Sequence, residues 1–152
     1  MPDLPQRQRL HHQTPPWVAP DAVFFLTVCC AQRGKSQLTA PPVFEVLINA
    51  VEHYIHAEKW WVTSFLVMPD HWHALVAFRD ISRMEKTVKD WKRYTAKQAG
   101  IVWQDGFFDH RLRSRQSTEE KWRFIRLNPV RRGLALTPDD WPYVWTPKET
   151  AR

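Results

Sequence analysis

The chain has 152 residues, 43% hydrophobic and 25% charged, which is the balance of a folded globular protein and enough length to bury a core as one domain. Its 22 Lys and Arg exceed its 16 Asp and Glu by six, so the surplus serves either ordinary solubility or an anionic partner, while nine tryptophans suit both core packing and base stacking. No apolar stretch approaches the length of a membrane span, and the polar, proline-bearing start is unlike a secretory signal, so no membrane partner and a cytoplasmic location are expected.

Residues 1–20 carry five prolines without an apolar period and read as an irregular arm, with His11 and His12 solvated. Residues 21–152 read as a single domain. AVFFLTVCCA (22–31) is dense in Val, Phe and Thr and predicts a central strand. Cys29 and Cys30 within it are neighbours on a strand, so they face opposite ways; reduced core thiols are expected, not a bridge. From 43 to 56, Phe44, Leu47, Val51, Tyr54 and Ile55 form one apolar helix face.

Two further strands, 60–69 and 71–78, are separated only by a turn at Pro69 and Asp70. So short a link forbids a parallel crossover and predicts an antiparallel hairpin. Helical spacing returns over 82–99, with Met84, Val88, Trp91 and Thr95 on one side and Lys86, Lys89, Arg93 and Lys97 on another; Gly100 closes it. A short extended segment follows over 102–113. Ser117 and Glu120 read as a capping box opening a helix that Pro129 stops, and the tail reads as coil with a short turn, packed over the sheet. The order predicts an α+β fold: an antiparallel β-sheet with packed α-helices, close to ferredoxin-like.

Within MPDHWHAL (68–75), His71 and His73 stand at i and i+2, so a strand points both imidazoles to one face and Trp72 to the other. The pair is either a metal grip or two polar residues at a sheet edge. Arg111, Arg113 and Arg115 alternate along one segment. With Lys121, Arg123, Arg126, Arg131 and Arg132 they make 111–132 the most basic part of the chain, read as phosphate contacts or as a solvated face.

Taken together, MPDHWHALV, VWQDGFFDHRLR and KWRFIRLNPVRRGL resemble the IS200-like tyrosine transposases of the REP-associated type, over about Phe24 to Trp145. That family belongs to the HUH nucleases. The resemblance implies Mg²⁺ or Mn²⁺ held by His71 and His73 with the amide of Asn128; ligand softness alone would favour Zn²⁺ for a histidine pair. It implies hairpin or single-stranded DNA as partner, contacted through Lys86, Lys89, Arg93, Arg111, Arg113, Arg115, Arg126, Arg131 and Arg132. It also implies tyrosine attack on a phosphate, giving a 5′-phosphotyrosine link. Exposed tryptophans such as Trp103 or Trp145 would stack on bases if they do not pack in the core, and His110 falls in a matching motif. Relatives act as dimers or monomers, and both states stay open.

One residue departs from the pattern. The family nucleophile lies four residues before the asparagine, and that position holds Phe124, which has no hydroxyl. The chain is then an engineered Tyr-to-Phe variant, a homologue that binds without cutting, or an enzyme using Tyr54, Tyr94 or Tyr143 instead. A hydrolase unrelated to DNA could use the histidine pair to activate water, but it has no need of so basic a 111–132 segment.

Overall fold

The hairpin at Pro69–Asp70 organises the sheet. The computed structural model describes residues 14–147, so most of the N-terminal arm, with His11 and His12, lies outside the described residues. Strands β1 (Val23–Cys29), β2 (Trp60–Met68) and β3 (His71–Phe78) are joined by helix α1 (Pro41–His56) and the two-residue turn, and helix α2 (Met84–Ala99) leads to β4 (Phe108–Leu112). Helix α3 (Arg115–Arg126), the short α4 (Asn128–Arg131) and the two-residue β5 (Val144–Trp145) complete the chain. The sheet runs β4-β1-β3-β2-β5 with every pairing antiparallel. This is the expected α+β arrangement with one added edge strand. Among the described residues, no helix is long and apolar enough to cross a membrane.

Both faces of the central strands are apolar, so both are covered. On one face Phe24, Leu26, Val28, Phe65, Trp72, Ala74 and Val76 meet α1 and α2 through Leu47, Val51, Val88 and Trp91. Trp91 sits at the centre, its ring 5.1 Å from Trp72 and 6.0 Å from Trp60. The other face holds a smaller cluster of Val23, Leu66, Met68, Leu75 and Leu112 under Ile125 of α3. All nine tryptophans are buried or half-buried. Trp103 bonds Thr95 Oγ1 and Trp145 bonds Glu52, so both serve packing and neither offers a bare ring.

Three local readings differ from the sequence. The cap of α3 is Ser114, whose hydroxyl accepts from Ser117 N at 3.0 Å while Ser117 Oγ accepts from Ser114 N. Helix α3 therefore starts at Arg115, and Glu120 is bound by Gln116 one turn earlier instead of closing a box. Serine at the third helical position does the work expected of Glu. Helix α3 ends at Arg126, short of the predicted stop, and Pro129 falls in the first turn of a separate short helix, α4, where a missing N–H costs nothing. The tail is not all coil: Val144 and Trp145 pair with Leu66 and Phe65, covering the open edge of β2. Gly100 closes α2 as expected, in the left-handed conformation at φ 69°, with its N–H on Ala96 O.

Because Trp91 is fully buried among other rings, Trp91→Ala should lower unfolding stability by about 3–5 kcal/mol. Urea unfolding followed by far-UV circular dichroism measures this; a loss below about 1 kcal/mol would show that the ring is not the keystone of that face.

Candidate functional site

The strand register brings β1 alongside the histidines. Thr27 pairs with His73 and Cys29 with His71, and residues directly opposite in an antiparallel pair share a face. Phe25, Thr27, Cys29, His71 and His73 therefore crowd together, away from the Trp72 face. The loop after β1 is tied to the hairpin turn: Cys30 N donates to Asp70 O, and Gln37 N and Leu38 N donate to Pro69 O.

Asp70 locks the arrangement. Its Oδ2 accepts from Arg33 Nε at 2.9 Å and from Gly34 N at 2.7 Å, and its Oδ1 accepts from His71 Nδ1 at 2.7 Å. Burial pushes the carboxyl pKa up, but the bonds from Arg33, Gly34 and His71 outweigh burial and hold it well below the usual carboxylate range. An ionised carboxylate only accepts, so Nδ1 of His71 carries the proton and Nε2 keeps its lone pair. His73 Nδ1 lies 2.9 Å from Thr27 Oγ1, and its ring stacks on Phe25 at 5.3 Å. The two imidazole centroids are 4.8 Å apart.

Both histidines are buried and neutral. Burial lowers the pKa of His71, partly opposed by Asp70. Burial, then His71, Lys121, Arg132 and Arg131, lowers that of His73 to about 3. Two neutral imidazoles in a cationic setting suit an electropositive ligand only if an anion arrives with it.

The opposite wall comes from the end of α3. A cavity of about 310 Å³ is lined by Phe25, Thr27, Cys29, Arg33, His71, His73, Phe124, Ile125, Asn128 and Arg132. The four-residue spacing of Phe124 and Asn128 thus places both beside the histidine pair. Arg131 holds them as a unit: its Nη2 donates to Phe124 O at 2.9 Å and to Asn128 Oδ1 at 3.0 Å. A carboxamide oxygen has a second lone pair, so two imidazoles and this oxygen form a possible donor set for a divalent ion. Cys29 also lines the cavity, against the expectation of a core thiol, and its sulfur accepts from Arg33 Nη1 at 3.3 Å. Among the described residues no group of three or more His, Cys, Asp or Glu could hold a metal, so any site here depends on the asparagine.

The basic residues divide. Arg132 lines the cavity and Arg131 braces it. Arg113 and Arg115 are exposed at the start of α3, but Arg115 is helical, so the alternation with Arg111 and Arg113 breaks there. Arg111 turns to the opposite face, over the Phe24 ring, and bonds Asp21 O. Arg126 pairs with Asp139. Lys86, Lys89 and Arg93 ride on α2, across the sheet; Lys86 and Arg93 share Asp90, while Lys89 and Arg93 line a separate groove of about 1000 Å³ with Lys92. His110 is exposed and pairs in register with Phe25 without lining the cavity. No tyrosine lines it: Tyr54 and Tyr143 pack against the core, and Tyr94 lies on α2 beside His53. Sequence reasoning missed Thr27, Arg33 and Asp70. Only Asp70, next to His71, carried a local signal.

A family profile described as "Transposase IS200 like" matches residues 24–118, a span that contains both histidines and stops before Phe124 and Asn128. The REP-associated tyrosine transposase of Escherichia coli (strain K12) is 24% identical over 135 residues, covering 85% of this chain and 79% of that protein. A solved REP-associated tyrosine transposase bound to a REP hairpin shares the fold, with a TM-score of 0.70 at 22% identity over 87% of this chain and 81% of that one.

The buried histidines make stability depend on pH. His73 takes up a proton near pH 6.5 when unfolded but only near 3 when folded. The unfolded state thus binds more protons between those values, so stability falls as pH drops through that window, by up to about 1.4 kcal/mol per pH unit for this residue. His71 acts in the same direction. Urea midpoints measured with a chelator at constant ionic strength should fall steadily from neutrality into acid, and less steeply in His73→Asn; a flat profile would contradict a buried neutral His73.

Proposed function

Because the chain belongs to the IS200-like transposase family, we propose that it binds hairpin or single-stranded DNA over the cavity of His71, His73, Phe124 and Asn128, and that Phe124 leaves it unable to cut by the family's tyrosine chemistry. The observation that carries this reading is the ring of Phe124 in the cavity wall beside the histidine pair, where no tyrosine of the chain reaches. Hairpin DNA as the partner is supported by the structural neighbour, which was solved on a REP hairpin.

A divalent ion, Mg²⁺ or Mn²⁺, fits the donor set of His71 Nε2, His73 Nε2 and the Asn128 amide oxygen, and when bound it would draw electron density from a phosphoryl oxygen. The chain's own groups prepare the rest. Asp70 fixes the His71 tautomer, and Thr27 steadies His73. Arg33 and Arg132 line the cavity, and Lys121 and Arg131 stand close enough to depress the His73 pKa, so a phosphate entering here meets positive charge from several sides. In the family reaction a phenolic oxygen bonds to phosphorus as the 3′-oxygen leaves; Phe124 has no atom to make that bond. Lys86, Lys89 and Arg93 would contact only DNA that extends round the sheet edge to the α2 side.

The unaltered chain and Phe124→Tyr, each incubated with Mn²⁺ and labelled hairpin DNA from its own genome, are compared on a denaturing gel. A covalent protein–DNA band is expected only with Phe124→Tyr, and it should vanish when His71→Ala is added. A band from the unaltered chain would overturn the reading and make Tyr94 the next residue to change.

A further inference from the structure

Two large apolar rings stand in the open at this site, Phe124 in the cavity wall and Phe108 next to it, against the Phe25 ring that lines the cavity. Phe108 is 55% exposed and Phe124 is 54% exposed, whereas every tryptophan is at least half covered. Phenylalanine is ordinarily buried, and exposed rings grouped beside a charged cavity mark a binding surface. These two belong to one continuous row. Phe108 packs edge-on to Phe25 at 6.0 Å. Lys121 Nζ lies 4.8 Å from the Phe25 ring centre and 5.2 Å from that of Phe124. Arg131 then stands 4.2 Å over the Phe124 ring.

The order along the row is ring, ring, cation, ring, cation, and Phe25, second in it, is stacked on His73. A single strand asks for this alternation: flat faces that accept any base, and positive charges for the phosphates between them. The two cations differ in freedom. Arg131 is pinned by hydrogen bonds to Phe124 O and Asn128 Oδ1, which stiffens the ring it covers. Lys121 stands on a flexible stem and can follow a phosphate.

We propose that Phe124, together with Phe108, forms a stacking platform for unpaired bases of single-stranded DNA, so that the residue in the nucleophile's place grips the strand. The proposal rests on the DNA-binding reading above and adds which part of the DNA is held: base faces outside the duplex, without regard to sequence.

The test is a cycle between protein and DNA. A hairpin with an unpaired all-thymine tail, and the same hairpin with one tail nucleotide at a time made abasic, are titrated against the unaltered chain, Phe124→Leu and Phe124→Tyr. The unaltered chain should lose about tenfold in affinity when the stacked base is removed. Phe124→Leu should show that loss with the intact tail and no further loss at that position. Phe124→Tyr, titrated beside the unaltered chain with a chelator so that no covalent link to the DNA forms, keeps the flat face and should show the same abasic penalty, which guards against a folding artefact. Phe108→Leu should give the same pattern at a different tail position. An equal abasic penalty in the unaltered chain and Phe124→Leu, or none at any position, overturns the platform while salt-sensitive binding of the hairpin leaves the DNA reading standing. Absence of salt-sensitive binding by the unaltered chain overturns both.

Discussion

The Asp70 carboxylate is the joint on which the site depends. It is bound at once by the loop after β1, through Arg33 and Gly34, and by the first residue of β3, through His71. One ionised group thereby fixes a turn, a tautomer and the closeness of two segments 36 residues apart. A carboxylate that accepts several bonds is hard to protonate and hard to move. The imidazole at position 71 inherits that rigidity, and His73 obtains its own from Thr27 on the neighbouring strand.

Against this fixed floor stands a wall of different character. The joint between α3 and α4 is held by Arg131, which ties a main-chain carbonyl, a carboxamide and an aromatic face. Floor and wall come from different elements, β1 and β3 against α3 and α4, and the small apolar cluster under Ile125 joins them. The result is a cavity whose histidines are uncharged and whose lining and bracing charges are cationic, with the Asp70 carboxylate already committed to hydrogen bonds. Positive potential of that kind draws in anions and holds them, whether or not chemistry follows.

How much of this was legible in the sequence depends on the range of the interaction. The hairpin, the shared face of His71 and His73, the apolar faces of α1 and α2 and the stop at Gly100 follow from periods of a few residues, and they were readable. The pairing of β1 with β3 joins residues 46 apart, so nothing local announced that Thr27 and Cys29 would stand beside the histidines. Arg33 was hidden for the same reason. The cap of α3 was misplaced because Ser114 and Ser117 offer the same chemistry three residues apart, and only the backbone geometry of the extended Ser114 decides between them. The two-residue β5 is too short for any pattern to signal. The basic residues show the remaining limit: sequence counts charges, but the sheet divides them between two faces.

The adjacent cysteines give that division a chemical handle. Alternation carried one residue past the end of β1 sends Cys30 into the core, where burial pushes its thiol up to about 11, and leaves Cys29 at the cavity wall. A thiol-directed reagent therefore meets two sulfurs that differ in kind although they are covalent neighbours. Only one opens to solvent, and whatever attaches there is carried into the chamber of the two histidines. The chain thus holds a built-in address for a spectroscopic label at its most guarded point, with its twin silent one residue away.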